Sequence, residues 1–377
     1  MAAWPTGHRT HRGPVRILAA VSVAVMLGVA ASPGALGPAP GSGAASVRAC
    51  PPPVTFRCAG QRIGVRVGES FDEGESAAED RLRLAQFDAV TFPNFTWSQT
   101  EPGPNRWDFR ATDAEIAFAR RHHLYVTANH FVWDQLAYSS TPAWVNAIND
   151  PVRLEAVMLN HISTFTKRYG DTIRAWTVVN EPLSYFIPTT AIHPNHFAKV
   201  LGPDWIADAF RIAHRGAPRT ALWLNEVFTE DDPAKANSLV ELAAGLVARH
   251  VPIDGVSLEG HLFTPLLEPM VPDVALVRQT LERLAALGLQ VALSEIDAPT
   301  LPTTPNRFAV QADDIGGLVG ACRAVPQCRS ITFWDIDDSQ SWLIPLFHRA
   351  DVDPTLFTSE QRPKPAFASV LAAMSDP

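Results

Sequence analysis

No basic cluster stands anywhere in the body of this 377-residue chain, and acidic residues outnumber basic ones, 39 to 31, for a net charge of −8. That balance argues against nucleic acid as a partner. There is no glycine-rich loop to cradle a phosphate and no dinucleotide fingerprint, which weakens an open, doubly wound nucleotide-binding sheet. Cysteine is scarce, with four in the chain. Cys50 and Cys58 are near neighbours, as are Cys322 and Cys328, so two local disulfides are the simple pairing. Metal binding is the competing use, but no His or Cys stands at ligand spacing beside either pair. No metal and no organic cofactor are expected.

Long apolar runs are missing too, except at the N-terminus. His8, Arg9, His11, Arg12 and Arg16 precede the apolar stretch Ile17 to Ala31. A basic region followed by about fifteen apolar residues reads as a secretory signal, being short for a membrane span of about 20. Cleavage falls after Ala31 or near Ala44-Ala45-Ser46. Residues 32–49 are rich in Pro, Gly, Ala and Ser, as a linker is. The expected division is therefore a signal peptide over 1–31, a linker with an N-terminal disulfide over 32–59, and one domain over 60–377. Paired cysteines fit an exported protein, expected to be monomeric and without stable membrane association once cleaved.

What is present is a globular composition, 46% hydrophobic and 19% charged, arranged in alternating patterns. Strand-like runs occur at Arg62–Val67, Phe87–Phe92, Leu124–Asn129, Ala175–Asn180, Ala221–Asn225, Gly255–Glu259, Gln290–Glu295 and Ser330–Trp334. Helix-like spacing falls between them, at Asp113–Arg121, Val152–Tyr169, Trp205–His214, Pro233–Arg249 and Asp273–Leu287. Eight β–α alternations point to a (β/α)8 barrel.

Two of these runs end in glutamate, Glu181 after Val178-Val179-Asn180 and Glu295 after Ala292-Leu293-Ser294. A carboxyl is out of place in a buried strand unless it sits at an exposed end. All C-terminal strand ends of a barrel ring one opening, so the two carboxyls converge, along with Asn129, Asn180, Asn225, Glu226, Glu259 and Trp334. Paired carboxylates are what glycoside hydrolysis requires, one as nucleophile and one as proton donor. Asn180 would hold a sugar 2-hydroxyl. Asp297 and His261 would position Glu295. Trp133, Trp334 and Trp342 would offer sugar-stacking faces, with Trp97 divided between core and cleft.

The motifs around these residues resemble those of glycoside hydrolase family 10, chiefly endo-β-1,4-xylanases. Trp176-Thr-Val-Val-Asn180-Glu181 is similar to W-D-V-V-N-E, and Leu293-Ser294-Glu295-Ile296-Asp297 to the T-E-L-D stretch. Leu258-Glu259-Gly260-His261 resembles S-Q-x-H, Phe131-Val132-Trp133 the L-V-W of H-T-L-V-W-H, and Phe333-Trp334 through Ser341-Trp342 the W-G-x-x-D-x-x-S-W segment. Asn94 with Trp97 and Thr100-Glu101-Pro102 is similar to N-E-M-K-W…T-E-P, and Pro363-Lys364-Pro365-Ala366-Phe367 to the closing P-K-P-A-Y. The resemblance covers roughly residues 60–372. It implies Glu181 as acid/base, Glu295 as nucleophile, and sugar contacts at Asn94, Asn129, Trp133, Asn180, Glu259, His261, Trp334 and Trp342. It also places a family disulfide at Cys322 and Cys328.

The chain departs from the family at several binding positions. Pro93 replaces a glutamate, the lysine before Trp97 is missing, and Asn129 and Asp134 replace histidines. Val227 replaces a tyrosine. Glu259 stands for a glutamine, either as a protonated stand-in or paired with a cation on an unusual substrate. Secreted hydrolysis of β-1,4-linked polysaccharide, in the first place xylan, is the leading reading. A related enzyme acting on another glycan or by transglycosylation is the second. A non-catalytic carbohydrate-binding barrel is the third, and retention of both glutamates opposes it.

Overall fold

In a computed structural model of the chain, residues 50–71, 76–134, 140–186 and 188–375 are described. The expected signal peptide over 1–31 and the linker up to residue 49 lie outside them. Eight strands close a wholly parallel barrel in sequence order: β1 Arg66–Ser70, β2 Ala89–Phe92, β3 Tyr125–Ala128, β4 Ile173–Asn180, β5 Ala221–Glu226, β6 Gly255–Leu258, β7 Gln290–Ile296 and β8 Cys328–Phe333. The last strand pairs with the first, from Arg66↔Ser330 to Glu69↔Phe333, so no sheet edge is left open. Helices connect successive strands, and among the described residues none is long and apolar enough to cross a membrane.

The strands alternate instead of being apolar on both faces. Val67, Val90, Val126, Val178, Leu224, Val256, Leu293 and Ile331 are fully buried in the apolar core, as a helix-covered sheet face requires. The opposite face carries small and hydroxylated residues, among them Thr91, Thr127, Thr177, Ser257, Ser294 and Thr332. They line a cavity of about 250 Å³ inside the barrel. The barrel interior is thus a polar layer rather than a second hydrophobic core. That layer lies beneath the strand ends where the candidate residues sit.

Seven of the eight strands lie within a few residues of their expected places; the first does not. Residues 62–63, read as strand, finish the helix Phe56–Ile63, which Thr55 caps at its start and left-handed Gly64 (φ +73°) ends. The apolar alternation Ile63, Val65, Val67 runs across this helix end, which is why it mimicked a strand. The same helix corrects the division at residue 60. Residues 56–59 belong to the barrel domain because Phe56 is fully buried, its ring 4.5 Å from Phe367 and 5.8 Å from Phe87 and Phe333.

Both cysteine pairs are disulfides, Cys50–Cys58 and Cys322–Cys328. Three further helices of 10 or more residues were not among the expected ones. Ala77–Gln86 opens on a reciprocal Ser76–Glu79 cap. Arg307–Arg323 packs through glycines against Pro365–Ser375, so closely that a Cβ on Gly316 would lie 2.2 Å from Ser369 Oγ.

Candidate active site

The C-terminal strand ends surround a cavity of about 680 Å³, and both glutamates are on its wall. β4 ends at Asn180, and Glu181 then adopts a left-handed backbone (φ +49°). This conformation is uncommon for a residue with a Cβ, costing about 1–3 kcal/mol, and such residues cluster at functional sites. The Glu181 N–H still bonds to Asn225 O at 2.9 Å, which locks the turn. On the side chain, Oε2 accepts from Trp133 Nε1 at 3.0 Å and from the Tyr185 hydroxyl.

Glu295, near the end of β7, is gripped through its other face. Its Oε1 accepts from Asn129 Nδ2 at 3.0 Å and from Asn225 Nδ2 at 2.8 Å. Both amides are oriented from below by the barrel's hydroxyl layer: Thr177 donates to Asn129 Oδ1, and Ser257 and Ser294 donate to Asn225 Oδ1. The small polar residues inside the barrel therefore set the orientation of the carboxylate above them. Glu295 Oε2 lies 3.4 Å from His261 Nε2, while His261 Nδ1 lies 2.9 Å from Asp297 Oδ1. Asp297 Oδ2 in turn accepts from Trp342 Nε1 at 2.8 Å.

Charge is concentrated here. Burial and mutual repulsion among the carboxyls push Glu181, Glu259 and Glu295 up, Glu259 most strongly. Burial works against a charged His261, but Asp297 and Glu295 outweigh it and hold the imidazole at about 10. Asn225 Nδ2 stands 2.8 Å from Asn180 Oδ1, 2.9 Å from Glu259 Oε1 and 2.8 Å from Glu295 Oε1. An amide has two hydrogens for these three acceptors. The three acceptors therefore share its donors, and Glu259 is the carboxyl whose burial and charged neighbours most favour the protonated form.

Most expected site residues come together as read. Trp133, Asn180, His261, Trp334 and Trp342 are on the cavity wall with the two glutamates. Asn94 also reaches the wall, with its amide donating to Glu115 Oε1 at 2.5 Å. Two residues expected to touch sugar do not line this cavity. Asn129 is turned beneath Glu295, and Glu259 is fully buried behind it. Both act on the carboxylate because the strand pleat points them into the barrel. Trp97 belongs to the core, stacked on His161 at 4.2 Å with its N–H on Glu101.

Sequence reading placed Glu226 at a strand end but missed Tyr185 and the lysine that pairs with Glu226. Lys235 Nζ is 3.0 Å from Glu226 Oε1, both fully buried, and lies over the Tyr185 ring at 5.3 Å. Glu226 Oε2 accepts the Leu183 N–H at 2.9 Å, bracing the loop that carries Tyr185. Nothing periodic marks Tyr185 in its loop. A lone lysine near the start of the helix Pro233–Ala248 looks like any solvated one.

Residues 55–373 match the sequence model of glycosyl hydrolase family 10. An endo-1,4-beta-xylanase of Agaricus bisporus is 32% identical over 306 residues, covering 78% of this chain and 88% of the relative. Endo-1,4-beta-xylanase 1 of Humicola insolens is 30% identical over 282 residues, 74% of this chain but 63% of that longer protein. Among solved structures, xylanase 10B of Thermotoga maritima shares the fold, with a TM-score of 0.76 over 85% of this chain and 98% of its own at 24% identity. A glycosylated family 10 endo-beta-1,4-xylanase of Gloeophyllum trabeum superposes with a TM-score of 0.74 at 26% identity, over 85% and 99% of the two chains. The chain belongs to glycosyl hydrolase family 10, a family of retaining glycoside hydrolases.

Proposed function

We propose that this enzyme hydrolyses β-1,4-linked xylan within the chain by double displacement, with Glu295 as nucleophile and Glu181 as acid/base. The observation that carries the reading is that both carboxyls stand on the wall of one cavity, each held by its own donors, an indole and a phenol at Glu181 and two amides at Glu295. Amide and imidazole donors surround Glu295 and favour the charged form a nucleophile needs. Glu181 is buried and pushed up, as a group that must bring a proton is. In the first step Glu295 attacks the anomeric carbon while Glu181 passes its proton to the departing oxygen. In the second, Glu181 takes a proton from water, which releases the sugar from Glu295. Asn180 holds the 2-hydroxyl, Trp334 and Trp342 floor the sugar site, and His261 with Asp297 holds Glu295. The disulfides and the basic-then-apolar N-terminus support an exported protein, and we take it as a monomer free of membranes.

A second reading, a different β-1,4-glycan, is favoured by Pro93 on the cavity wall and by Asn94 being tied to Glu115. The test is product analysis on xylan and a panel of related polymers and aryl β-glycosides. Xylo-oligosaccharides released with retained anomeric configuration, and abolished in Glu295→Ala, are the expected result. Turnover on another glycan with none on xylan replaces the substrate. Equal turnover by wild type and Glu295→Ala ends the assignment.

A further inference from the structure

Glu259 adds a second carboxylate beside the Glu295 and His261 pair, and the three offer the geometry of a metal site. Their ligand atoms all lie within 4.8 Å of one another, and all three residues are buried. His261 Nε2 is 3.4 Å from Glu295 Oε2 and 3.7 Å from Glu259 Oε2. Ligands about 2.0–2.1 Å from a tetrahedral Zn2+ stand about 3.4 Å apart. The two separations from the imidazole are near that spacing, and the two carboxyls lie within 4.8 Å of each other.

The surroundings are also those of a metal ligand set. A metal-bound imidazole typically pairs its other nitrogen with a carboxylate, and ligating carboxylates are themselves hydrogen-bonded. Here Asp297 stands 2.9 Å from His261 Nδ1. Asn225 Nδ2 donates to Oε1 of both glutamates, leaving each Oε2 on the His261 side. Glu259 Oε2 is buried and without a hydrogen-bond partner among the described residues, a costly state for a carboxyl oxygen. A ligand there would relieve it.

We propose that Glu259, His261 and Glu295 form a site for a single Zn2+, and that the ion inhibits the enzyme by occupying the Glu295 carboxylate. Binding displaces the protons that Glu259 and His261 hold in the ion-free site, so Zn2+ affinity rises with pH. The two carboxylates then balance the charge of the dication, and His261 and Glu295 line the cavity, so the fourth position is open to water or a sugar hydroxyl. One imidazole among three ligands selects against Ca2+ and Mg2+, which take six or more oxygens. An amide at position 259 would supply one charge fewer, so the site follows from this chain's own residue. The inhibitory consequence rests on Glu295 being the nucleophile; the ion site does not.

The test is calorimetric titration of the chelator-treated full chain with ZnCl2 and, separately, MgCl2. Wild type is expected to bind one Zn2+ and no Mg2+. Glu259→Gln and His261→Gln are each expected to weaken Zn2+ binding at least about tenfold. Thermal unfolding gives a parallel reading, with Zn2+ raising Tm in wild type but not in either variant, and shows that both variants fold. On xylan, Zn2+ should inhibit wild type competitively, with recovery on adding chelator. Equal Zn2+ affinity in wild type and both variants, or none in wild type, overturns the proposal. Calorimetry needs no turnover, so inactivity on every glycan would count against the hydrolase reading alone.

Discussion

Trp133 and Tyr185 donate to the same oxygen of Glu181, and donors to a carboxylate favour its charged form. Burial pushes Glu181 up while Tyr185 pulls it back down. The acid form is the one that starts the reaction, so activity falls as pH rises through this group's titration. Tyr185→Phe removes a donor and should move the alkaline limb of the kcat/KM profile to higher pH. A limb that stays in place or moves down would show that Tyr185 does not act through Glu181. Glu181→Ala should lower kcat on xylan by about 10²–10⁴-fold. In kcat/KM, which reports the first step, the loss should be much smaller on aryl β-glycosides whose acidic phenol leaving groups need no proton; comparing kcat/KM on the two substrates checks it. Both glutamates were legible in the sequence because a carboxyl closing an apolar run has few other uses. Tyr185 was not legible, since its contact with Glu181 depends on how one loop folds back.

At the scale of elements, the loop after β4 is held by a buried ion pair on the neighbouring β–α unit. Of the chain's four lysines, Lys235 and Lys364 are both buried against carboxylates, Glu226 and Asp338. Removing one partner of such a pair strands a charge and costs about 3–5 kcal/mol, whereas replacing both can be nearly neutral. Lys235→Met should therefore lower unfolding free energy in urea by about 3–5 kcal/mol. Glu226→Leu combined with Lys235→Met should recover much of that loss. A double variant as unstable as the single would show that the pair itself, and not the stranded charge, supplies the stability. Most strands were readable because short, largely apolar stretches closing on a polar residue recur between helical patterns. Ala77–Gln86 was not, because the residues it buries are Glu79 and Arg83, and in Arg307–Arg323 and Pro365–Ser375 small and apolar residues fall on every face, so the buried positions do not stand out.

Across the whole molecule, the two disulfides close short loops, with sequence separations of 8 and 6. Chain entropy assigns loops of this size about 2–3 kcal/mol each. Reduction should thus lower stability by that order per bridge while leaving the barrel folded and active at room temperature. Denaturant melts with and without reductant check it, and loss of the fold on reduction would give the bridges a larger part than their loops allow.

The sequence by itself determined the barrel, the two glutamates at the ends of its fourth and seventh strands, and the residues that resemble a family's motifs. All of these are carried by local patterns: strand length, alternation with helices, and a polar residue at the strand terminus. Tertiary structure alone decided that Asn129 and Glu259 stand beneath Glu295 instead of facing sugar. It also decided that hydroxyls inside the barrel orient the amides holding that glutamate, and that a buried lysine braces the Tyr185 loop. Those facts depend on which way each side chain points once eight strands have closed, and closure joins residues as far apart as Arg66 and Ser330.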